Sequence, residues 1–235
     1  MGELKAVIFD WDGVLVPIRI NLEQVFDYIV KEISKYGVNF KINSVKFSTI
    51  EALIKTAKKD LQGKDIPMNF FDKLQNKVLV MINEIFTKDA LTNSLNKEVL
   101  QSLKQVRELG LKTGIFTINR LHIVEKILNN SNAIHLFDAI VTQDDFVLNL
   151  ENIDKKEHLD ACLERLQISG DECMVVGDRP IDILPAHEVN AITVGFIGSD
   201  NRHQMDTIAD KIDYTIDSIT KLYQIIITLE DHSPT

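Results

Sequence analysis

The pattern of apolar residues along the chain changes near residue 91. One strand-like segment and then helical spacing precede this point, and strand-like and helical segments alternate after it. The segment Leu4–Phe9 is short, mostly apolar and closed by polar residues, which predicts a buried strand. Apolar residues then recur at helical spacing with no strand-like segment between them, which predicts helices beginning near Leu22, Ser48 and Asn69. The first part of the chain is therefore predicted to be one strand followed by a helical insert.

Helical and strand-like segments alternate after residue 91. The strand-like segments are KTGIFT, FDAIVT, ECMVVGD, AITVGF and DYTI, and a segment of helical spacing precedes each of the first four. A last helix is predicted from Ile219 to Leu229. Such alternation is typical of a parallel sheet with helices on both faces, so we predict an α/β fold. The predicted domains are a core of residues 1–16 and 92–235 and a helical insert of residues 17–91.

Polar side chains with useful chemistry follow the predicted strands, at the edge where parallel sheets bind ligands. The set combines strand-end residues with two lysines that open a helix: Asp10, Asp12, Thr117, Lys155, Lys156, Asp178 and Asp182. A single aspartate after a strand is usually a turn or cap residue. A D-x-D-G after one strand together with a G-D-x-x-x-D after another favours a functional site instead.

These residue types are suited to phosphoryl chemistry with a metal ion. Clustered carboxylates repel one another unless a cation neutralises them, and an oxygen-rich set without clustered His or Cys favours Mg²⁺ over zinc. Asp10 would then act as a nucleophile that holds a phosphoryl group covalently, and Asp12 as general acid and then base. Thr117 and Lys155 would hold phosphoryl oxygens, while Gly13 would let the chain turn sharply after the strand.

Four motifs resemble those of the haloacid dehalogenase-like superfamily of phosphotransferases. They are FDWDGV, IFTIN, a lysine that opens a helix, and VVGDRPID, and they occur in the family's order along the predicted core. The resemblance implies a Rossmann-like three-layer parallel sheet with an inserted α-helical cap domain. It also implies a Mg²⁺-dependent hydrolase that forms an aspartyl-phosphate intermediate.

The resemblance further implies a role for each motif residue. Asp10 is the expected nucleophile and Asp12 the expected acid and base, whose backbone carbonyl also binds the metal. The expected metal site comprises Asp10, Asp12, Asp178 and Asp182, with Asp182 supporting the ion from close by. The expected phosphate-binding residues are Thr117, Asn119 and Lys155.

Two motifs depart from the common family pattern. The lysine region reads NIDKKEHLDACLERL, so either Lys155 or Lys156 is the motif lysine, and the spacing to VVGD favours Lys155. Ile118 separates Thr117 from Asn119, so the asparagine lies one position beyond its frequent place next to the threonine. Its contact with the phosphoryl group or the substrate is the weaker expectation for that reason.

The aspartate at position 12 favours hydrolysis of a phosphate monoester, because that reaction needs an acid for the leaving oxygen. A sugar-phosphate mutase of the same family would use the same residues and differ mainly in its cap and in excluding water. Two alternatives belong to other classes: a scaffold that has lost catalysis, and a phospho-acceptor receiver domain. The receiver domain is disfavoured because it is about half as long and lacks both the D-x-D-G loop and the insert.

Composition narrows the expected partners. The 235 residues have a net charge of −9 at pH 7, which disfavours nonspecific binding to nucleic acid. No stretch is apolar enough for a membrane span, and no signal-peptide segment precedes Asp10. With Cys162 and Cys173 as core residues, we expect a cytoplasmic protein that acts on a small phosphorylated metabolite, as a monomer or a homodimer.

The insert contains several cationic residues, but their sequence pattern does not identify a substrate. Its cationic residues could meet an anionic substrate, although a solvated helix face is their ordinary place: Arg19, Lys55, Lys58, Lys59 and Lys64. Two histidines outside the insert, His122 and His158, are predicted to lie on helix surfaces.

Overall fold

A computed structural model of the chain describes residues 3–17, 21–38, 47–146 and 153–231. The chain divides into two compact units. The first comprises Met1–Ile18, Thr92–Val147 and Asp154–Thr235, and the second comprises Arg19–Leu91 with Leu148–Ile153.

The first unit contains a six-stranded sheet in which all strands are parallel. The strands are β1 (Ala6–Phe9), β2 (Lys112–Phe116), β3 (Ala139–Val141), β4 (Cys173–Gly177), β5 (Ile192–Phe196) and β6 (Tyr214–Ile216). Their order is β3-β2-β1-β4-β5-β6. The order reverses between β1 and β4, so the carboxyl ends of these two strands flank the crevice where such sheets bind ligands.

The α-helices of the described residues are α1 (Glu23–Ser34), α2 (Phe47–Asp60), α3 (Phe70–Ala90), α4 (Lys97–Glu108), α5 (Leu121–Asn130), α6 (Lys156–Leu166), α7 (Pro180–Glu188), α8 (Arg202–Asp206) and α9 (Leu222–Asp231). The first three lie in the second unit and the others in the first. The short α8 was not predicted. At the last predicted helix, Ile219–Lys221 forms a 3₁₀ turn before α9.

Helices flank the sheet, which confirms the predicted α/β class with a Rossmann-like parallel sheet. Apolar residues on one face of β1, β2 and β4 pack against α6 and α7 in a fully buried layer that includes Ile8, Phe116 and Val175. Cys162 and Cys173 are free thiols in this layer. The helix α4 packs against β2 and α9.

The second unit is helical in the residues that the structure describes. Buried residues of α1 recur at helical spacing, Val25, Phe26, Ile29 and Ile33, and α1 packs against α2 and α3. Arg19 lies outside the described residues. Lys55 pairs with Glu51 and Lys64 donates to the backbone oxygen of Tyr36, both on exposed surface. None of the described helices has the length and apolar character that crossing a bilayer requires.

Candidate active site

The loop after β1 begins with two differently placed aspartates. Asp10 is fully buried, and its N–H donates to the backbone oxygen of Val176 in β4, 2.9 Å away. Asp12 is partly exposed. Between them Trp11 is fully buried, and its backbone oxygen accepts hydrogen bonds from the N–H groups of Leu15 and Val16. The two backbone hydrogen bonds close a tight turn directly after the strand.

Gly13 brings this loop against the loop after β4. Its φ is +88°, and a Cβ atom built on it would lie 2.1 Å from Oδ2 of Asp178. A side chain at position 13 is therefore excluded both by the backbone conformation and by the aspartate. This close approach brings the ends of β1 and β4 together.

Lys155 is the lysine that enters the site. It lies directly before α6, is fully buried, and its Nζ donates to Oδ1 of Asp10 and, at 2.6 Å, to Oδ1 of Asp182. The ammonium group also lies 5.0 Å from the ring centroid of Phe116. Lys156 instead forms an exposed pair with Asp160 at 2.9 Å. Of the two candidate lysines, the one favoured by the sequence spacing reaches the carboxylates.

The loop after β4 supplies Asp178 and, in the first turn of α7, Asp182. Asp182 is fully buried, and its second oxygen accepts a hydrogen bond from the N–H of Arg179 at 2.9 Å. Both Asp182 oxygens are therefore occupied, one by Lys155 and one by the backbone. In the arrangement described, this aspartate holds Lys155 and the start of α7 in place.

The loop after β2 reaches Asp12 through Asn119. Thr117 is fully buried, and its Oγ1 accepts a hydrogen bond from the N–H of Asn119 at 3.1 Å. The Asn119 side-chain amide donates to Oδ2 of Asp12 at 2.6 Å. Asn119 was expected to contact the phosphoryl group or the substrate, and in the structure its amide orients Asp12.

Three carboxylates meet in a way that fits a divalent cation. Asp10, Asp178 and Asp182 each offer an oxygen, and these oxygens lie within 4.8 Å of one another. Among the described residues, Oδ2 of Asp10 and Oδ1 of Asp178 are buried without a hydrogen-bond partner. Such orphaned anionic acceptors are costly unless a ligand satisfies them, and an all-oxygen set suits Mg²⁺.

The electrostatics of the cluster also favour an added cation. Burial, and then the charge of Asp10, raises the pKa of Asp12 to about 7 and that of Asp178 to about 8. Burial likewise raises the pKa of Asp10. Burial acts to lower the pKa of Lys155, but the charges of Asp10 and Asp182 outweigh it and raise that pKa. Burial and the mutual repulsion of the carboxylates thus both disfavour their ionised forms, and an added cation would oppose both effects.

Sequence reasoning missed two residues of the site. Arg179 lies beside Asp178, with Nε 3.7 Å from Oδ1 of that aspartate. Asn201, in the loop after β5, donates from its side-chain amide to the backbone oxygens of Asp178 and Phe196, each at 2.8 Å. The arginine had a signal, because it stands between the two aspartates of GDRPID. Asn201 follows a strand by several residues, and nothing in its local sequence marks it.

The predicted surface position of His158 is wrong, whereas His122 is exposed as predicted. His158 is buried in the first turn of α6, and its ring lies 4.6 Å from that of Phe146. Burial, and then the charge of Lys155, lowers the pKa of His158 to about 4. Its ring is therefore neutral at physiological pH.

Comparisons with known proteins extend over most of the chain. The family model of haloacid dehalogenase-like hydrolases matches residues 4–190. Glyceraldehyde 3-phosphate phosphatase of Methanocaldococcus jannaschii is 27% identical over 97% of this chain and 99% of its own length. Phosphoglycolate phosphatase of Colwellia psychrerythraea is 24% identical over 83% and 85%. The structure of a haloacid dehalogenase-like hydrolase from Streptococcus pneumoniae superposes with a TM-score of 0.65 at 17% identity, covering 94% and 98% of the two chains.

Proposed function

The chain belongs to the haloacid dehalogenase-like hydrolase family, as its motifs predicted, and on that premise we propose that it is a phosphatase acting on a small phosphate monoester. One observation carries the proposal: a buried aspartate held by a buried lysine lies in the same site as a second aspartate oriented by an amide. The two phosphatase relatives support the reaction class, since their names specify glyceraldehyde 3-phosphate and phosphoglycolate as substrates.

Asp10 is the proposed nucleophile. A carboxylate oxygen attacks phosphorus, forming an Asp10–O–P bond while the bond from phosphorus to the ester oxygen breaks. The ammonium of Lys155, bonded to Oδ1, fixes the carboxylate and favours its anionic form. Oδ2 has no partner among the described residues and is available to a ligand.

Asp12 is the proposed general acid and base. In the first step it gives a proton to the departing ester oxygen; in the second it takes a proton from the water that attacks the aspartyl-phosphate. A pKa of about 7 suits both duties near neutral pH. The Asn119 amide holds the carboxyl group in one orientation through both steps.

Residues at the ends of β1 and β4 are proposed to hold Mg²⁺. The unpartnered oxygens of Asp10 and Asp178 would bind the ion, together with the backbone oxygen of Asp12 that the family resemblance implies. Asp182, with both oxygens occupied, would support the site from beside it. Bound there, the ion would reduce repulsion between the anionic nucleophile and the anionic phosphate. Thr117 and Lys155 are the proposed contacts of the phosphoryl oxygens.

The proposed domain roles follow the predicted boundaries. Residues 1–16 and 92–235 form the catalytic core, and residues 17–91 form a helical cap that selects the substrate. A helical unit of Arg19–Leu91 with Leu148–Ile153 supports this division. A cytoplasmic location is proposed as well, supported by the two free thiols.

A mutase acting on sugar phosphates is the second candidate within the family. It would form the same aspartyl-phosphate and return the phosphoryl group to a second hydroxyl of the sugar instead of to water. A mutase would need a bisphosphorylated sugar as activator, so isomerisation measured with and without such a compound distinguishes the two activities.

A phosphate-release screen over a panel of phosphorylated metabolites tests the proposal. We expect release by the purified protein in Mg²⁺, none in EDTA, and none from Asp10→Asn, whose fold circular dichroism would check. Activity retained by Asp10→Asn would contradict the nucleophile assignment. Wild-type protein that releases phosphate from no compound would favour the non-catalytic scaffold.

A further inference from the structure

The backbone of Arg179 is held in place in the loop after β4. It is the residue before α7, its N–H donates to Oδ2 of Asp182, and Pro180 follows it. A residue before proline favours extended backbone, and Arg179 has φ −135° and ψ 156°. The side chain therefore starts from a defined position between the two aspartates of the loop after β4.

Within the part of the chain that the structure describes, the guanidinium group lies beside Asp178 without a hydrogen bond to it. Its Nε lies 3.7 Å from Oδ1 of Asp178, which is an ion-pair distance but too long for a hydrogen bond. Nε and Oδ1 are both buried and, among the described residues, neither has a hydrogen-bond partner. An arginine built to bind that carboxylate would form short paired hydrogen bonds with it. Nε of Arg179 is thus a donor without an acceptor, beside carboxylate oxygens that are acceptors without a donor. This arrangement suits a ligand that brings an anionic oxygen for the arginine and a cation for the carboxylates.

The two cations of the site differ in how far they are engaged. Lys155 is fully buried and already donates to Asp10 and Asp182. The side chain of Arg179 keeps 22% of its surface exposed, so a ligand can reach it. The charge of Arg179 also acts on Asp10, Asp12 and Asp178. It therefore lies close enough to oppose a metal ion bound by those carboxylates.

We propose that Arg179 is a substrate-binding residue that donates to an anionic oxygen of the phosphate monoester, and that in the ligand-free protein its charge weakens metal binding at Asp10 and Asp178. This role rests on the proposed phosphatase function. The charge of Arg179 lowers the affinity for the metal ion while no anion is bound, and it raises the affinity for the phosphate ester. Metal and substrate would then bind cooperatively, because each relieves the charge that the other leaves uncompensated.

Two binding measurements on one variant test this role without measuring turnover. Arg179→Met keeps an unbranched stem out to about the position of Nε and removes the charged guanidinium group. Calorimetry with Mg²⁺ alone should show affinity about tenfold tighter than wild type, since one charge at such distances shifts a neighbouring carboxylate equilibrium by about one pK unit or more. Titration with inorganic phosphate in saturating Mg²⁺ should show affinity about tenfold or more weaker. A general loss of structure would not change the two affinities in opposite directions.

Two further variants complete the test. Arg107→Met removes an arginine that pairs with Asp138 on the surface, and both affinities should stay at the wild-type values. Arg179→Lys keeps the charge but loses the planar donor pair, so Mg²⁺ affinity should stay near wild type while phosphate binds several-fold more weakly. Should Arg179→Met fail to fold, the Mg²⁺ and phosphate affinities of Arg179→Lys alone test the proposed role.

Unchanged phosphate affinity in the folded Arg179 variants would overturn the role, as would a loss of both affinities together. These outcomes are distinct from failure of the proposed function. If wild type hydrolyses phosphate esters and the variants bind both ions as it does, only the role of Arg179 fails. If wild type hydrolyses no ester, the phosphatase proposal fails whatever the variants show.

Discussion

At the scale of single residues, the pairing of Asp12 with Asn119 divides the proposed work between the two aspartates. Asp10 is fully buried and bonded to a lysine, whereas Asp12 is partly exposed and bonded to a neutral amide. A neutral donor orients a carboxyl group without forcing it to stay ionised. This difference suits one group to attack phosphorus and the other to exchange protons.

Asp12→Asn separates the two proton transfers. We expect it to slow hydrolysis of an alkyl phosphate roughly 10²- to 10⁴-fold, because neither proton transfer has a side chain to perform it. With 4-nitrophenyl phosphate, whose leaving group needs no proton, the first step should survive and only the second should be slow. Rapid-quench measurement should then show a burst of about one nitrophenolate per chain, followed by slow turnover. Equal slowing of the first step for both esters would contradict the acid role.

Lys155→Ala and Lys156→Ala form a matched pair of neighbouring lysines. Removing Lys155 leaves the buried Asp10 and Asp182 without the ammonium group that bonds to both, and losing one partner of a buried pair costs about 3–5 kcal/mol. Removing Lys156 breaks one exposed pair with Asp160, worth about 0.3–0.5 kcal/mol. Urea unfolding and phosphate release should therefore both change strongly in the first variant and hardly in the second. The reverse result would move the motif role to Lys156.

The positions of the strand-end residues could be predicted from sequence, but the directions of several side chains could not. Asp10, Thr117 and Asp178 follow parallel strands, and parallel strands place their carboxyl ends at one edge whatever the helices do. The amide of Asn119 turns to Asp12, and His158 turns inward against Phe146. These directions depend on which surfaces meet in the folded protein, and neighbours in sequence do not determine that.

At the scale of elements, the turn after β1 determines how closely two loops approach. Gly13 and Gly63 both have positive φ, +88° and +81°, but only Gly13 has a neighbour where a Cβ would lie. Substituting alanine at each of these two positions therefore distinguishes the effect of backbone strain from the effect of a clash with Asp178.

Gly13→Ala and Gly63→Ala make that comparison. Both should lose about 1–2 kcal/mol of stability from placing alanine at positive φ. Gly13→Ala should in addition lose Mg²⁺-dependent phosphate release, because the new methyl group displaces the Asp178 carboxylate, while Gly63→Ala should keep it. Thermal melting and the release assay measure the two effects. Full activity in a folded Gly13→Ala would contradict the requirement for this close approach.

Element boundaries were predictable where local signals are strong. Gly110 ends α4 with φ +78°, as a glycine just after a helix should. The five-residue α8 was not predicted, because so short a helix shows no periodicity that distinguishes it from a loop. Ile219 starts a 3₁₀ turn instead of α9, a difference that hydrophobic spacing alone does not resolve.

At the scale of the whole molecule, the carboxylate cluster couples stability to pH and to metal. The pKa values of Asp12 and Asp178, about 7 and about 8, lie above the roughly 3.9 of an unfolded aspartate. The metal-free folded state therefore binds more protons than the unfolded state, and its stability falls as pH rises through these values. His158, with a lowered pKa, acts in the opposite direction only below about pH 6.5.

Thermal unfolding between about pH 6.5 and 8.5 isolates the carboxylate contribution. In EDTA we expect Tm to fall over this range. Mg²⁺ should raise Tm and flatten the dependence, because an ion that binds only the folded state stabilises it and favours ionised ligands. Asp178→Asn should lose most of the response to Mg²⁺. Identical Tm values with Mg²⁺ and with EDTA at the upper end of the range would contradict the proposed metal site.

The long sequence separations within the site have a consequence for how the protein folds. Asp10 and Lys155 are 145 positions apart, and Asp12 and Asn119 are 107 apart. We expect contacts across such separations to form late in folding, because closing a long loop loses conformational entropy before the contact forms. Trp11, the single tryptophan of the chain, is buried in the loop between these aspartates. Its fluorescence during refolding would therefore follow the assembly of the catalytic loop, which circular dichroism of the helices does not report.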